Sequence, residues 1–261
     1  MGAITTSRGQ LGLLEAGVGG SAVPIVLLHG VGSDKSVWRP QLDRFGQARR
    51  AIAFDYPGYG ESAPQPGATR DDFAAAILAG MDTLGVHQAH ICGLSLGGII
   101  AMAMHAQEPA RCASLILADS FAMHPDGEGI YQRSVEASAT IGMRALAEQR
   151  VDVLLGSRAS GQLRSDVVET MAAIDPAAYR IGAEDVWLAD QRPSAAAISV
   201  PTLVLCGEED RITPPALSDE LARLIPDAKF EILAGAGHLA NAEQPAAFNR
   251  AVDQFLAELV E

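Results

Sequence analysis

The feature that most constrains this chain is the stretch Ala89-His90-Ile91-Cys92-Gly93-Leu94-Ser95-Leu96-Gly97-Gly98-Ile99-Ile100. A short apolar run ends in Gly-x-Ser-x-Gly and passes at once into a helical pattern of small residues, Ala101 to Met104. Strand, sharp turn and helix in that order are the setting in which this motif presents a nucleophilic serine. The serine then holds a strained backbone, and a side chain at Gly93 or Gly97 would collide with the strand or helix beside it. The turn lifts the Ser95 hydroxyl off the sheet above a helix N-terminus, where developing negative charge is favoured. Glycine is abundant here, with 26 residues, so the motif alone is only moderately specific. A base, an acid and an oxyanion loop must come from elsewhere in the chain.

Strands and helices alternate on both sides of the motif. Leu11 to Glu15 reads as a short strand. Pro24 to Leu28 is continuously apolar, as expected of a strand covered on both faces of a parallel sheet. It runs into His29-Gly30-Val31-Gly32-Ser33-Asp34, a Gly-rich turn at the position where open α/β sheets place their ligand sites. Ser36 to Phe45 carries Trp38, Leu42 and Phe45 at helical spacing. Arg50 to Phe54 and Ala113 to Ala118 are further strands, and Thr69-Arg70-Asp71-Asp72 has the form of a helix-capping box. Such alternation implies a parallel sheet with right-handed crossovers. From about 121 to 197 the rhythm changes to helices without strands, among them one opened by Asp175-Pro176. Strands return at Thr202 to Cys206 and Lys229 to Leu233. The expected organisation is a core of 1–120 and 198–261, with 121–197 inserted as a helical lid.

Composition narrows the partners. The net charge of −13 argues against nucleic acid and against anionic membrane surfaces. No apolar run approaches a membrane-spanning length, and Met1 to Gln10 lacks a signal-peptide pattern. Cys92, Cys112 and Cys206 have no metal-site or disulfide spacing. Cys92 and Cys206 read as buried free thiols, and cytoplasmic residence is the expectation. No metal and no cofactor are expected, a homo-oligomer is left open, and the expected partner is a small molecule.

An activated serine needs a base and a carboxylate that orients the base, in the chain order serine, acid, histidine for this kind of turn. Of six histidines, His238 lies in a small-residue loop, Ala234-Gly235-Ala236-Gly237-His238, just after the final strand. His29 follows an early strand and is read as a hydrogen-bonder that orients the oxyanion loop. His87, His90, His105 and His124 are read as surface or structural. For the acid, Asp210 in Gly207-Glu208-Glu209-Asp210 follows the penultimate strand, with Asp119 the alternative and Glu208 or Glu209 behind it. The oxyanion hole would use the backbone N–H groups of Leu96 and Val31.

With these residues in view, the chain resembles the α/β-hydrolases over nearly its whole length, and in particular the 3-oxoadipate enol-lactonase group and its esterase relatives. The likeness rests on Leu27 to Asp34, Val37 to Gln41, Cys92 to Gly98, Pro201 to Asp210 and Gly237 to Pro245. It implies a mostly parallel eight-stranded sheet with helices on both faces. It also implies Ser95 as nucleophile, Asp210 as acid, His238 as base, and Val31 and Leu96 as oxyanion donors. Where that group tends to carry a tryptophan-containing run in the lid, this chain reads Arg150 to Gly156.

The expected activity is cofactor-free hydrolysis of a small carboxylic ester or lactone, 3-oxoadipate enol-lactone among the candidates, in the catabolism of aromatic compounds. Trp187 and Tyr131 are candidate walls of the substrate site, and Arg133 or Arg192 could hold a substrate carboxylate. Hydrolysis of a carbon–carbon bond in a ring-cleavage product is an alternative, against which Leu239 after the histidine counts. Perhydrolysis and a non-catalytic small-molecule receptor complete the alternatives.

Overall fold

The computed structural model describes residues 2–17 and 20–259. Its eight strands are β1 (Gly2–Thr6), β2 (Gly9–Ala16), β3 (Ile25–Leu28), β4 (Ala51–Phe54), β5 (Ala89–Leu94), β6 (Cys112–Ala118), β7 (Thr202–Gly207) and β8 (Lys229–Leu233). They form one sheet in the order β1-β2-β4-β3-β5-β6-β7-β8. β1 with β2, and β2 with β4, pair antiparallel; every other pair is parallel. This is the expected mostly parallel sheet, with β1 as an addition. Its residues, Gly-Ala-Ile-Thr-Thr, are largely exposed on the sheet edge and carry little apolar signal.

The period-2 geometry of a strand divides its side chains between two cores. Val26 and Leu28 of β3, Ile91 of β5 and Leu115 and Leu117 of β6 enter one buried cluster. Ile25 and Leu27, Cys92 and Leu94, and Ile116 and Ala118 enter the other. A strand buried on both sides must be apolar at every position, which is why β3 reads Ile-Val-Leu-Leu without alternation.

Helices α1 (Arg39–Phe45), α2 (Arg70–Thr83) and α3 (Leu96–Gln107) connect the first strands. The single helix expected over Ser36 to Phe45 is divided into a 3₁₀ turn, Lys35–Trp38, and α1. Pro40 explains the break, because proline suits the first turn of a helix and not its interior. The Thr69 capping box forms: the Asp72 N–H donates to Thr69 Oγ1 (3.4 Å) and the Thr69 N–H donates to Asp72 Oδ2 (3.1 Å).

Between β6 and β7 lie α4 (Gly127–Thr140), α5 (Gly142–Leu154), α6 (Gly161–Ala172), α7 (Pro176–Trp187) and α8 (Arg192–Ala196), called the cap below. After β7 come α9 (Pro215–Leu224), α10 (Ala240–Glu243) and α11 (Pro245–Ala257). Asp175 caps α7 by accepting from the N–H groups of Ala177 and Ala178, ahead of Pro176. The cap meets the sheet through small residues. A Cβ at Gly182 of α7 would fall 2.2 Å from Tyr59 Oη and 3.2 Å from Leu96 Cδ2, so only glycine lets α7 lie that close. The Tyr59 hydroxyl donates to the Ala178 carbonyl there (3.2 Å). All three cysteines are buried and unpaired, and among the described residues no helix is long and apolar enough to cross a membrane.

Candidate active site

The strand order reverses direction at β3, which lies between β4 and β5. Open α/β sheets form a crevice at the carboxyl ends of such a pair. Ser95 follows β5 there, and His29 to Ser33 follow β3. Ser95 has φ 53° and ψ −113°, a positive φ that side-chain-bearing residues rarely adopt. Its neighbours hold the turn in place. The Ser95 N–H donates to the Ala118 carbonyl (2.8 Å), and the Ser120 hydroxyl and Gly98 N–H donate to the Ser95 carbonyl (3.1 and 2.9 Å). A Cβ at Gly93 would fall 2.1 Å from the Gly97 carbonyl oxygen, and one at Gly97 2.1 Å from that of Leu28. Both glycines are therefore dictated by the approach of β3, β5 and α3 at this turn.

The oxyanion candidates flank Ser95. Leu96 opens α3, so its N–H has no acceptor within the helix. On the other side, His29 Nδ1–H donates to the Gly30 carbonyl (2.8 Å), to which Ser33 N–H also donates (3.2 Å). In a planar trans peptide the N–H lies opposite the C=O, so this carbonyl anchor points the Val31 N–H away from the His29 ring. Burial drives His29 below its ordinary pKa, with Asp55 opposing, which keeps the ring neutral for that role. Below the loop, Asp55 is buried and accepts from both Lys35 N–H (2.9 Å) and Lys35 Nζ (2.5 Å). The carboxylate occupies space that a Cβ at Gly12 or Gly60 would fill, at 2.5 and 2.1 Å from Asp55 Oδ2.

His238 Nδ1 lies 2.8 Å from Asp210 Oδ2. Asp210 also accepts from the N–H groups of Ile212 and Thr213 and from the Thr213 hydroxyl (2.8, 2.9 and 2.7 Å). Burial alone would raise the Asp210 pKa; His238 and these donors hold it below the ordinary carboxylate range instead. Asp119, the alternative acid, sits at the end of β6 with φ 46°, accepts from Gly207 N–H (2.7 Å) and Ala240 N–H (3.4 Å), and shares a side-chain hydrogen bond with Cys206. Burial, and then the charge of Asp210, push its pKa well above the carboxylate range. The shifts of these two neighbouring acids run in opposite directions because only Asp210 faces the imidazole and the Thr213 donors. Glu208 and Glu209 are spent on Gly235 N–H (3.0 Å) and on Ser157 N–H and hydroxyl (2.7 and 3.0 Å).

Asp119, Cys206 and Asp210 place an oxygen or sulfur each within 4.8 Å of one another, which is ligand spacing. All three already have protein partners: the Cys206 thiol donates to the Gly207 carbonyl (3.4 Å), Asp210 faces His238 and Thr213, and Asp119 accepts from the Gly207 N–H.

Ser95 and His238 open into one cavity, together with Val31 and Leu239 from the core and Leu154, Val167, Met171, Tyr179 and Trp187 from the cap. The space is tight, about 40 Å³. Trp187 lines the cavity and also packs on Phe121 with ring centroids 5.8 Å apart. Tyr131 is not brought to the cavity: its hydroxyl donates to Glu184 on the cap surface (3.3 Å), and Tyr179 takes the place foreseen for it. Arg133 and Arg192 are likewise elsewhere, paired on the exterior with Asp126 and Asp190 (2.7 Å each). The arginine at the cavity is Arg150, whose Nη1 donates to the hydroxyls of Ser134 (3.0 Å) and Tyr179 (2.7 Å). Its signal in the sequence is a charged residue four places beyond Leu146 and three beyond Ala147 on the buried stripe of α5. Thr213 was also overlooked, although an aspartate followed by a threonine three residues on is a turn pattern in which the side chain accepts from nearby N–H groups.

Comparison with known proteins identifies the family and the fold. A family model described as alpha/beta hydrolase fold matches residues 23–245. The chain is 26% identical to 3-oxoadipate enol-lactonase 1 of Acinetobacter baylyi, over 98% of this chain and 97% of that protein. It is 32% identical to 2-hydroxymuconate semialdehyde hydrolase of Pseudomonas putida, over 92% of this chain and 89% of that one. The crystal structure of the enol-lactonase from Burkholderia xenovorans LB400 superimposes with a TM-score of 0.90 at 29% identity, covering 98% of this chain and all of the other.

Proposed function

The chain belongs to the α/β-hydrolase family, and from that premise we propose that it is a cofactor-free serine hydrolase of small carboxylic esters or lactones, working through an acyl-enzyme on Ser95. The observation that carries the reading is the cavity shared by Ser95 and His238, with His238 Nδ1 held 2.8 Å from Asp210. With Nδ1 engaged, Nε2 is the nitrogen left to take the serine proton. Ser95 Oγ attacks the carbonyl carbon as its proton passes to His238, and the oxygen of the tetrahedral intermediate meets the Val31 and Leu96 N–H groups. Each such donor is worth about 3 kcal/mol in the transition state. The intermediate collapses, His238 returns the proton to the departing alkoxide, and water activated by the same imidazole releases the acid. Asp210 holds the ring in its tautomer and stabilises the imidazolium.

Arg150 extends the reading to the substrate. A guanidinium that donates to two neutral hydroxyls, in the same cavity as Ser95, suits an ester or lactone that carries a carboxylate. The similarity to proteins named enol-lactonase supports a lactone, in which acyl group and alcohol remain one molecule after opening. The likeness to a 2-hydroxymuconate semialdehyde hydrolase favours a second reading, in which the same serine and histidine cleave a carbon–carbon bond.

Incubation with p-nitrophenyl acetate and with a serine-directed phosphonate tests the chemistry. Turnover and a single adduct on Ser95 are expected; folded protein giving neither would end the hydrolase reading. Relative kcat/KM for an enol-lactone, neutral esters and a ring-cleavage dienoate then chooses the substrate class.

A further inference from the structure

The cap is tied to both sides of the acid–base pair through one short segment, Asp152 to Ser157, at the end of α5. On the base side, the His238 N–H itself donates to the Leu154 carbonyl (2.8 Å). Glu243 gathers three N–H groups: Gly156 of the cap on Oε2 (2.7 Å), and Gly237 and Leu239, the two neighbours of His238, on Oε1 (3.0 and 3.2 Å). On the acid side, the residues flanking Asp210 reach the same segment. Glu209 accepts from Ser157, and Arg211 donates to the carbonyls of Asp152 and Leu155. The backbones touch without side chains between them. A Cβ at Gly156 would fall 2.9 Å from Gly237 N and 3.0 Å from Glu243 Oε2, and one at Gly237 would fall 2.4 Å from Gly156 N.

We propose that Glu243 is a positioning residue that couples docking of the cap segment to the placement of His238, so that the base is correctly mounted only when 152–157 is seated. A carboxylate has acceptor capacity for all three donors, whereas neutral glutamine presents an amide NH₂ to at least one of them. The N–H groups of the two neighbours of His238 therefore depend on this one side chain, and the His238 N–H depends on the cap directly. An error of about 1 Å in the ring is enough to cost roughly 100-fold in rate. On this account the cap does not swing away from the base loop during turnover.

The inference rests on the serine hydrolase reading, and its test is arranged so that the two fail separately. Glu243→Gln and Gly156→Ala are compared with the unaltered protein by steady-state hydrolysis of p-nitrophenyl acetate, thermal unfolding, amide hydrogen exchange at His238 and the downfield Nδ1 proton resonance of the imidazole. Both variants are expected to lose roughly 10- to 100-fold in kcat with little change in KM. The His238 amide is expected to exchange faster and the Nδ1 resonance to broaden, while Tm stays within a few degrees. Should Glu243→Gln fail to fold, Gly156→Ala, which alters no residue of the base loop, carries the test. Undiminished kcat in a variant that has lost protection at the His238 amide would overturn the proposal. So would a fall in kcat with both His238 signals unchanged. An unaltered protein without turnover or adduct would instead remove the hydrolase reading, and the His238 measurements would still report whether the cap holds the loop.

Discussion

Asp119 and Asp210 bring carboxylate oxygens within 4.8 Å of each other, yet only Asp210 is bonded to His238. The two acids end adjacent strands, β6 and β7, and differ in what they face. Asp210 meets an imidazole and Thr213, whereas Asp119 meets two backbone N–H groups and the charge of Asp210. That asymmetry separates two residues that their positions after strands leave equivalent.

Exchange of the acids follows directly. Asp210→Asn leaves the imidazole in the wrong tautomer and is expected to lower kcat on the order of 10⁴-fold, as loss of the orienting carboxylate does in other serine hydrolases. Asp119→Asn leaves the His238–Asp210 contact intact and should retain most of kcat. Steady-state kinetics on the two purified variants checks this, and the reverse order of effects would assign the acid to Asp119.

The same pair sets how stability varies with pH. A carboxyl whose pKa is raised on folding binds its proton more tightly in the native state, so its contribution to stability declines as pH rises from the ordinary carboxyl range. Asp210, lowered on folding, contributes in the opposite sense and loses its share as pH falls through its depressed value. Tm followed from about pH 4 to about pH 8 should therefore fall less with rising pH in Asp119→Asn than in the unaltered protein. Parallel curves would show that Asp119 does not hold its proton.

Arg150→Met keeps an unbranched stem, shortens it and removes the charge. For substrates carrying a carboxylate, KM is expected to rise about 10-fold or more, the worth of a charge-assisted hydrogen bond, with kcat nearly unchanged. Neutral esters should be indifferent. Equal effects on charged and neutral substrates would confine Arg150 to holding Ser134 and Tyr179 in place.

Lys35 and Asp55 form a buried ion pair beneath the oxyanion loop, at 2.5 Å, with Glu61 a second partner at 2.9 Å. Lys35→Met leaves Asp55 buried without its cation, a change that costs about 3–5 kcal/mol of stability. Because the Asp55 carboxylate also holds Lys35 N–H four residues beyond Val31, kcat should fall by up to about 100-fold, the worth of one oxyanion donor. Urea unfolding and kinetics below the melting range separate the two effects. Unchanged kcat would show that His29 alone suffices to aim the Val31 N–H.

Much of the fold and candidate site is written in short-range terms. Ser95, Asp210, His238 and the Val31 loop each follow an apolar run directly, so one reading of strands and turns finds all four. β1 escaped because an exposed edge strand needs no apolar pattern. The cap contacts escaped for a different reason: Glu243 and Gly156 stand 87 residues apart, and no local propensity marks either as the other's partner. Tyr131 and Tyr179 are both aromatic residues of cap helices, and only the packing of α4 and α7 decides which one turns toward Ser95.

The left-handed turn at Ser95 has one more consequence. Its strain is accommodated by Gly93, Gly97 and the carbonyl of Leu28, none of which depends on the hydroxyl. Cysteine or aspartate, unbranched at Cβ like serine, would meet a similar backbone penalty there. The turn is thus a mounting indifferent to what it displays: a thiol or a carboxylate could be installed at position 95 without redesigning the scaffold. Such a change would alter the nucleophile alone and leave the architecture standing.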